Sequence, residues 1–311
     1  MSRGLKMKVL ITGINGQLGY EAAILLASRG HDVYGVGRSE HYRGLPMDER
    51  VRYASLDMTD TDAVALLFED IQPDAIIHCA AWTAVDAAEA PENMEAVRAA
   101  NVIGTGNLAK ACRECGAKML YLSTDYVFSG KGTEPWKPDE KDFAPLNIYG
   151  QSKLEGELAI ANLLERFYIV RTAWVFGVNG NNFVKTMLKV GKNHDQVRVV
   201  CDQIGTPTYA RDLARLLADM VETDRYGFYH ATNEGGYISW YDFCCEIYRL
   251  AGLKTKVIPV TTEEYGLSAA ARPFNSRLDR SKLREQGFRP LPTWQDALAR
   301  YLEEIGEYAN P

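Results

Sequence analysis

The segment NIYGQSKLEGE, residues 147–157, contains a tyrosine and a lysine four residues apart, Tyr149 and Lys153. On a helix this spacing places both side chains on one face. A phenol can give a proton to an oxygen that gains negative charge, as when a hydride adds to a carbonyl carbon. An unperturbed tyrosine has a pKa of about 10, and a neighbouring ammonium lowers that pKa. The pair therefore predicts a proton donor and its tuning group, although a tyrosine alone is more typical of a half-buried core.

A third candidate precedes the pair, because Thr124 ends the apolar run KMLYLST. A hydroxyl at the carboxyl end of a strand can hydrogen-bond the same oxygen that Tyr149 would protonate. Threonine alone is common at strand ends. A glycine-rich turn, a strand-end threonine and then Tyr-x-x-x-Lys are much less expected together by chance. Their order predicts a site for carbonyl reduction at the C-terminal edge of a parallel sheet.

The glycine-rich turn is Gly13-x-x-Gly16-x-x-Gly19, between the first predicted strand and the first predicted helix. Its spacing differs from the G-x-G-x-x-G of many dehydrogenases. Glycines allow a tight turn and bring backbone N–H groups close to a pyrophosphate at the helix N-terminus. The position of the turn, directly after a strand and before a helix, predicts a dinucleotide-binding site.

The second predicted strand ends in GVGRSE. Many NAD enzymes carry an acid here that holds the ribose 2′-hydroxyl, but Gly37 occupies that position and Arg38 and Ser39 follow. A guanidinium can pair with a 2′-phosphate, so this end favours NADPH, with NADH as the alternative. A solvated arginine at a strand end is the other interpretation. Asp57 could accept a hydrogen bond from the adenine amino group, or it could cap a helix that begins near Thr59.

Strands and helices alternate through the first half of the chain. The predicted strands are residues 8–13, 32–37, 51–56, 75–80, 118–124 and 167–172. Helical patterns lie between them, for example at residues 16–30 and 101–116. This alternation predicts an α/β fold, a doubly wound Rossmann-type parallel sheet with helices on both faces.

The second half is less regular. It contains helical patterns at NNFVKTMLKVGKN, SWYDFCCEIYRLAG and TWQDALARYLEEIGEY, and the strand pattern KVIPV. We expect residues 1–171 to form an NAD(P)-binding Rossmann domain and residues 172–311 to form mainly a smaller substrate-binding lobe. A strand–helix segment near residues 196–232 is expected to return to the first domain.

Composition narrows the classes of partner. The net charge is −6 and no Lys/Arg-rich run occurs, so no nucleic-acid partner is expected. No apolar run reaches about 18 residues, so no membrane span is expected. The start MSRGLK lacks the apolar stretch of a signal peptide, which predicts a cytoplasmic protein with residues 1–6 as a tail. The six cysteines, including Cys112-x-x-Cys115, are expected to be reduced thiols, and the scattered histidines predict no metal centre.

Longer segments carry a more specific resemblance. They are HCAAWTAVDAAEAPE, YLSTDYVFSG, IYGQSKLEGE, VRTAWVFG, NNFVKTML, DQIGTPTYARDLA and ARPFNSRLD. Together they resemble the dTDP-4-dehydrorhamnose reductases, a family of the extended short-chain dehydrogenase/reductase superfamily, from about Met7 to the final helix. The resemblance implies NAD(P)H-dependent reduction of the C4 ketone of dTDP-4-dehydro-L-rhamnose. The product would be dTDP-L-rhamnose for cell-surface polysaccharide.

The resemblance also implies residue roles. Tyr149 would be the proton donor, Lys153 would hold the nicotinamide ribose, and Trp174 would line the sugar pocket. Thr124, Asp125 and Tyr126 would meet the substrate. Asn182, Arg272 and Arg277 would bind its nucleotide-diphosphate half, with surface charge or loop capping as the alternative. The remaining residues around the cofactor would be Gly13, Asn15, Gly16, Gln17, Leu18, Gly19, Asp57, Met58, Ala80, Ala81, Trp82, Thr83, Asn101 and Leu122.

One segment departs from the family pattern. Residues 39–56, SEHYRGLPMDERVRYASL, are longer than usual and add a third strand and two arginines, Arg43 and Arg50. This bears on the preference between NADPH and NADH. Some family members bind Mg²⁺ at a dimer contact through a glutamate of the first helix, and Glu21 stands at the matching place. A single carboxylate does not establish Mg²⁺ binding, and either a monomer or a homodimer fits the sequence.

Two other functions fit the same residues. One is another nucleotide-sugar reductase or an epimerase of the superfamily, which would return the hydride to its substrate. The other is a non-catalytic, NADP-binding regulatory subunit. Arg38 argues against the epimerase, and the intact Thr124, Tyr149 and Lys153 argue against the regulatory subunit.

Overall fold

Parallel strands form the centre of the molecule. The computed structural model describes residues 6–309, so most of the expected N-terminal tail lies outside the described residues. The strands are β1 (Lys8–Thr12), β2 (Asp32–Gly37), β3 (Val51–Ser55), β4 (Ala75–His78), β5 (Lys118–Thr124), β6 (Phe167–Thr172), β7 (Val175–Phe176), β8 (Gln196–Val200), β9 (Ile204–Gly205), β10 (Thr208–Tyr209), β11 (Gly227–His230), β12 (Ile238–Ser239) and β13 (Lys256–Val260).

Within residues 6–309, seven of these strands form one sheet in the order β11-β6-β5-β4-β1-β2-β3. Every neighbouring pair in it is parallel. The order reverses between β1 and β4, and ligands of such sheets bind outside the carboxyl ends of the strands at that point. Thr12 and His78 end these two strands, so the glycine turn lies directly at the crevice.

Helices cover both faces of the sheet. They are α1 (Gln17–Ser28), α2 (Thr61–Ile71), α3 (Val85–Ala88), α4 (Met94–Arg98), α5 (Gly104–Cys115), α6 (Ile148–Leu163), α7 (Phe183–Asn193), α8 (Ala210–Val221), α9 (Trp240–Leu250), α10 (Thr262–Tyr265), α11 (Ser281–Glu285) and α12 (Trp294–Glu304). One apolar core lies between the sheet and α1 with α8, and a second lies between the sheet and α2, α5 and α6. The predicted doubly wound α/β fold is confirmed.

The element bounds differ little from the predicted ones, with one exception. The pattern at 101–116 predicts a single helix, but a π-helical turn occupies Ala99–Ile103 and α5 begins only at Gly104. Periodicity does not reveal a π turn, because the turn adds one residue without changing the composition.

The chain after β6 builds a smaller structure with its own apolar core, which includes Phe176, Phe243 and Trp294. Three two-stranded pairs belong to it: β7 with β10, β9 with β12, and β8 with β13. The expected return of residues 196–232 involves α8, which packs against α1, and β11, which pairs with β6. In contrast, β8 stays with β13. Within the described residues, no helix is long and apolar enough to cross a membrane.

Candidate active site

The glycine turn brings the start of α1 against the neighbouring strand. Gly13 has a φ of 70°, and a Cβ there would lie 2.8 Å from the backbone nitrogen of Ala80. A Cβ on Gly19 would lie 2.3 Å from the carbonyl oxygen of Gly13. Glycine is therefore required at both positions by close backbone contacts.

The N-terminus of α1 suits an anion. Gly16 is its N-cap residue, no side chain caps the helix, and its first turn contains no acid. Uncapped backbone N–H groups and the helix dipole favour a phosphate group there. The Leu18 side chain turns into the core, whereas the Gln17 amide oxygen accepts a hydrogen bond from Asn182 Nδ2 at 3.1 Å. The turn therefore fits the pyrophosphate of a dinucleotide through its backbone.

Polar groups surround the end of β2. A Cβ on Gly37 would lie 2.9 Å from Asn15 Nδ2, and the carbonyl of Ser39 accepts a hydrogen bond from the Tyr53 hydroxyl. Arg38 is exposed next to them. Its exposure leaves the guanidinium accessible to a 2′-phosphate.

Asp57 lies close to Arg38 after β3. Hydrogen bonds from the backbone and hydroxyl of Thr59, together with the charge of Arg38, hold the pKa of Asp57 below its usual range. The helix cap predicted as an alternative role belongs instead to Asp60, whose carboxylate accepts from two N–H groups in the first turn of α2. Asp57 thus forms a turn with Thr59 and does not cap α2. The side chain of Met58 packs against Gly104.

The loop after β4 links the switch point to α6. The backbone nitrogen of Ala80 donates to Thr12 Oγ1 at 3.0 Å, and that of Trp82 donates to Asn101 Oδ1 at 2.8 Å. Asn101 is fully buried in the π turn, and its Nδ2 donates to Ser152 Oγ at 2.9 Å. The π turn therefore places the Asn101 side chain between the loop after β4 and helix α6, and it hydrogen-bonds both. Ala81 and Thr83 lie in the same loop, and Leu122 is buried in β5.

Thr124, Tyr149 and Lys153 converge where β5 ends and α6 begins. Asn147 caps α6, and its Oδ1 accepts from the backbone nitrogen of Gly150 at 2.8 Å. A Cβ on Gly150 would lie 2.4 Å from the Tyr126 carbonyl oxygen, so glycine lets α6 approach the end of β5. Thr124 Oγ1 donates to Asp125 Oδ1 at 3.1 Å, and the Thr124 hydroxyl lies near that of Tyr149.

Burial dominates the electrostatics of this pair. Burial raises the pKa of Tyr149 well above its usual value, although the nearby Thr124 hydroxyl opposes that shift. Burial also lowers the pKa of Lys153 to about 7, although the charge of Glu157 opposes it. The sequence predicts that Lys153 lowers the pKa of Tyr149, but desolvation of the phenol outweighs any such effect here. Low dielectric disfavours the charged form of both groups, so Tyr149 carries a proton that it can donate.

Asp125 is buried beside this pair. Burial raises the pKa of Asp125 to about 6, and hydrogen bonds with Ser276 and Thr124 oppose the shift. Among the described residues, three buried side-chain polar atoms lack a hydrogen-bond partner, and two of them are Asp125 Oδ2 and Ser123 Oγ. Buried polar atoms are normally paired. Two unpaired ones beside Thr124 fit a polar ligand at this position.

Arg272 comes from the distal part of the chain. Its Nη1 donates to the Tyr126 hydroxyl at 3.2 Å, and its Nη2 contacts Asp86 Oδ2 at 2.6 Å. The ring of Tyr126 lies edge-on to that of Tyr149, with 5.7 Å between centroids. Tyr126 therefore links the Arg272 guanidinium to the Tyr149 ring.

The other predicted substrate residues are placed differently. Asn182 caps α7 through Oδ1, which accepts from the backbone nitrogen of Lys185 at 3.0 Å. Arg277 Nη1 donates to Asn275 Oδ1 at 2.9 Å. Both side chains are held by the protein itself, which favours the capping interpretation for Asn182.

Trp174 has a left-handed φ of 53°, and its ring stacks on Trp240 with 3.7 Å between centroids.

The sequence does not predict a place for Trp240 or Ser276 in this site. Ser276 lies within the resembling segment ARPFNSRLD, but its contact with Asp125 depends on a fold of residues far apart in the chain.

Glu21, the candidate for a metal contact, is buried in α1. Burial and the nearby charge of Glu304 raise the pKa of Glu21 to about 7. Within residues 6–309, no group of three or more His, Cys, Asp or Glu side chains is arranged to hold a metal ion.

The chain is similar to known proteins over nearly its whole length. The family model described as RmlD substrate binding domain matches residues 7–307. The spore coat polysaccharide biosynthesis protein SpsK of Bacillus subtilis is 38% identical over 96% of this chain and 97% of its own. The dTDP-4-dehydrorhamnose reductase of Streptomyces griseus is 40% identical over 93% of this chain and 91% of its own.

The fold of this chain also matches that of a solved structure. The dTDP-4-dehydrorhamnose reductase of Bacillus anthracis, crystallised in complex with NADP, has a TM-score of 0.86 and 40% identity. The match covers 96% of this chain and all of that one. Both the family model and these relatives span nearly the whole chain. The chain therefore belongs to the RmlD family, that of the dTDP-4-dehydrorhamnose reductases.

Proposed function

We propose that this protein reduces the C4 ketone of dTDP-4-dehydro-L-rhamnose with NADPH and yields dTDP-L-rhamnose. One observation carries the proposal: the buried Thr124 and Lys153 and the half-buried Tyr149 share the edge where β5 ends and α6 begins. The near full-length match to reductases with that name supports the choice of substrate. The match to SpsK supports a role in polysaccharide synthesis.

The proposed chemistry divides between cofactor and protein. NADPH supplies the hydride to the C4 carbon. Tyr149 gives its phenolic proton to the C4 oxygen as negative charge develops there, and the Thr124 hydroxyl orients that oxygen. The ammonium of Lys153, one helical turn away, stabilises the resulting tyrosinate. The burial of Thr124 and Lys153 and the partial burial of Tyr149 limit the access of water and strengthen these interactions.

Residues of the first half of the chain would hold the cofactor. The backbone of the glycine turn would bind the pyrophosphate at the start of α1. Arg38 and Ser39 would contact the 2′-phosphate, and Asp57 would accept from the adenine amino group. Lys153 would hydrogen-bond the nicotinamide ribose. The exposed guanidinium of Arg38 at the end of β2 supports NADPH over NADH.

Residues of both halves would hold the substrate. Asp125 and Trp174 would contact the sugar, and the unpaired Oδ2 of Asp125 supports this role. Arg272 would contact the diphosphate, and its hydrogen bond to Tyr126 supports a role at the substrate cleft. Arg277, whose guanidinium donates to Asn275, would contact the same half of the substrate.

We further propose a division at residues 171 and 172 into a cofactor domain and a substrate lobe, with α8 and β11 belonging to the first. A cytoplasmic location and a monomeric or homodimeric state stay predictions from the sequence.

The test is substrate-dependent oxidation of NADPH. We expect the purified protein to oxidise NADPH, followed by its absorbance, when dTDP-4-dehydro-L-rhamnose is supplied and not without it. Other nucleotide 4-keto sugars in parallel assays define the substrate class. Formation of dTDP-L-rhamnose, identified by NMR, completes the assignment.

Two outcomes would contradict the proposal. Turnover of a UDP-linked 4-keto sugar in preference to the dTDP sugar would change the substrate. NADPH binding without turnover of any of these sugars would favour the regulatory subunit.

A further inference from the structure

A buried ion pair lies one helical turn beyond Lys153. Glu157 of α6 and Arg171 of β6 are each only 1% exposed. Arg171 Nε donates to Glu157 Oε1 at 2.9 Å, and its Nη2 donates to Oε2 at 2.7 Å. The pair therefore joins the catalytic helix to the strand beside β5 through two charged hydrogen bonds.

Several groups hold the guanidinium of Arg171 in place. Its Nη1 donates to the carbonyl of Pro138 at 3.0 Å. The rings of Phe128, Phe143 and Phe228 lie around it, with their centroids 5.0, 5.1 and 5.2 Å from its central carbon. Arg171 thus has a single well-defined position, and it gives Glu157 a single position too.

Stability alone does not explain such a pair. Removing two charges from water is costly, and well-packed apolar residues of similar volume are often as stabilising or more so. The position of the carboxylate relative to Lys153 supplies another reason, because residues four apart on a helix are neighbours.

Lys153 lies in an otherwise unfavourable environment for a charge. Its Nζ lies 4.0 Å from the ring centroid of Tyr121, whose face attracts a cation. The titratable groups that act on it or feel its charge are His78 at the end of β4, Cys79 just after it and Glu157 of α6. Tyr149 lies one helical turn before it on α6. Glu157 is the carboxylate of this set.

We propose that Glu157, held by Arg171, is a positioning residue that keeps Lys153 protonated during the reaction. The role in turnover rests on the proposed function, whereas the effect on Lys153 does not. Burial lowers the pKa of Lys153 to about 7, and among the opposing influences Glu157 comes first. Near neutral pH, a further drop would remove the ammonium from much of the protein.

The first test is Glu157→Gln, which removes the carboxylate and leaves Arg171 as an unpaired cation. Both changes lower the pKa of Lys153, by about one unit or more. The pKa is measured by NMR titration of protein labelled with ¹³C at lysine Cε, and the Lys153 resonance is the one absent in Lys153→Met. The alkaline limb of the kcat profile should move to lower pH by the same amount, so activity returns on acidification.

Removing one partner of a buried pair strongly destabilises a protein, so a second variant guards against failure to fold. The double variant Glu157→Met with Arg171→Leu replaces the pair by apolar side chains. It should fold and should still lower the pKa of Lys153, though by less, because the repulsion from Arg171 is also removed.

The matched control is Glu155→Gln, on the same helix, where the carboxylate pairs with Arg98 at the surface. It should leave the pKa of Lys153 and the pH profile unchanged. A wild-type pKa of Lys153 in the double variant would overturn the proposal and reduce the pair to a structural contact. If the wild type fails to reduce the sugar, the proposed function fails, and the NMR titration still decides the role of Glu157.

Discussion

Two regions of the molecule meet at the carboxyl edge of the sheet and are built in opposite ways. The turn between β1 and α1 consists of backbone, and Gly13 and Gly19 are required because other backbone atoms lie within 3 Å of any added Cβ. The centre between β5 and α6 consists of side chains, the buried Thr124, Asp125 and Lys153 and the half-buried Tyr149. Phosphate binding at the first region would depend on the shape of the backbone, whereas proton transfer at the second would depend on the charge of the side chains.

Because of this contrast, substitutions in the two regions should impair different quantities, cofactor affinity in the first and turnover in the second. A single methyl group added to the turn displaces the backbone that would bind phosphate, so cofactor affinity falls. An isosteric change in the side-chain centre preserves shape and removes one chemical group, so turnover falls while affinity stays. Kinetics can distinguish the two, because a loss confined to kcat reports an interaction of the transition state.

The largest effect is expected for Tyr149→Phe. The substitution removes the proton donor and keeps the ring, so kcat should fall roughly 10²- to 10⁴-fold while the Kd for NADPH stays nearly unchanged. Steady-state kinetics and a fluorescence titration with NADPH measure the two quantities. Tyr265→Phe, in α10, serves as the control and should have wild-type turnover. Full turnover by Tyr149→Phe would remove the proton-donor role.

The next effect is expected for Gly19→Ala, in the backbone region. Its Cβ would lie 2.3 Å from the Gly13 carbonyl oxygen, so the turn must move away from the phosphate position. Loss of one or two charge-assisted hydrogen bonds should weaken NADPH roughly tenfold to a hundredfold. Calorimetric titration with NADPH measures the change.

A glycine in a similar helix provides the control. A Cβ on Gly106 of α5 meets no atom within 4 Å. Gly106→Ala should therefore keep NADPH affinity and should stabilise the helix slightly. Equal losses of affinity in the two variants would show that the contact with Gly13 is not the cause.

The sequence predicts local features of the two regions but not the long-range contacts of their side chains. Local pattern is enough for the strands, for the glycine turn and for Tyr149 and Lys153 on one face, because each depends on spacing within a few residues. The fold class follows from the alternation of strands and helices. The contacts of Arg272 with Tyr126 and of Ser276 with Asp125 join residues far apart in the chain, and no local pattern contains them.

The spacing of residues in the sequence also does not predict how far their side chains are buried. The pair Tyr149 and Lys153 predicts a lowered tyrosine pKa, yet the pKa values of the phenol and the ammonium are both shifted toward the neutral forms by desolvation. Desolvation depends on the packing of the entire fold around α6. For Asn182, the resemblance implies ligand contact and leaves capping as the alternative; the structure shows that its side chain caps α7, and ligand contact stays a prediction.

A smaller effect is expected for Arg38→Ala, at the rim of the backbone region. The exposed guanidinium is well solvated, so its removal should weaken NADPH by only about tenfold and should leave NADH affinity nearly unchanged. Titrations with both cofactors measure the difference. Arg50→Ala is the matched control, because Arg50 lies in the long segment after β2 and pairs with Asp48. Equal weakening of NADPH and NADH by Arg38→Ala would rule out the 2′-phosphate contact.

A different kind of effect, on stability and not on binding or turnover, is expected from Asp125→Asn in the side-chain region. Burial raises the pKa of Asp125 from 3.8 to about 6, so the folded state binds its proton more tightly than the unfolded state. The stability that this protonation contributes is complete below about pH 4 and is lost as pH rises to about 6. The amide of the variant does not titrate, so between about pH 4 and pH 7 the variant should gain at most about 3 kcal/mol relative to the wild type. Thermal unfolding at both pH values measures the gain. The turn of the backbone region contains no such buried acid, so the change in stability caused by Gly19→Ala should be the same at both pH values. A pH-independent difference in stability between Asp125→Asn and the wild type would show that Asp125 is already ionised in the folded protein.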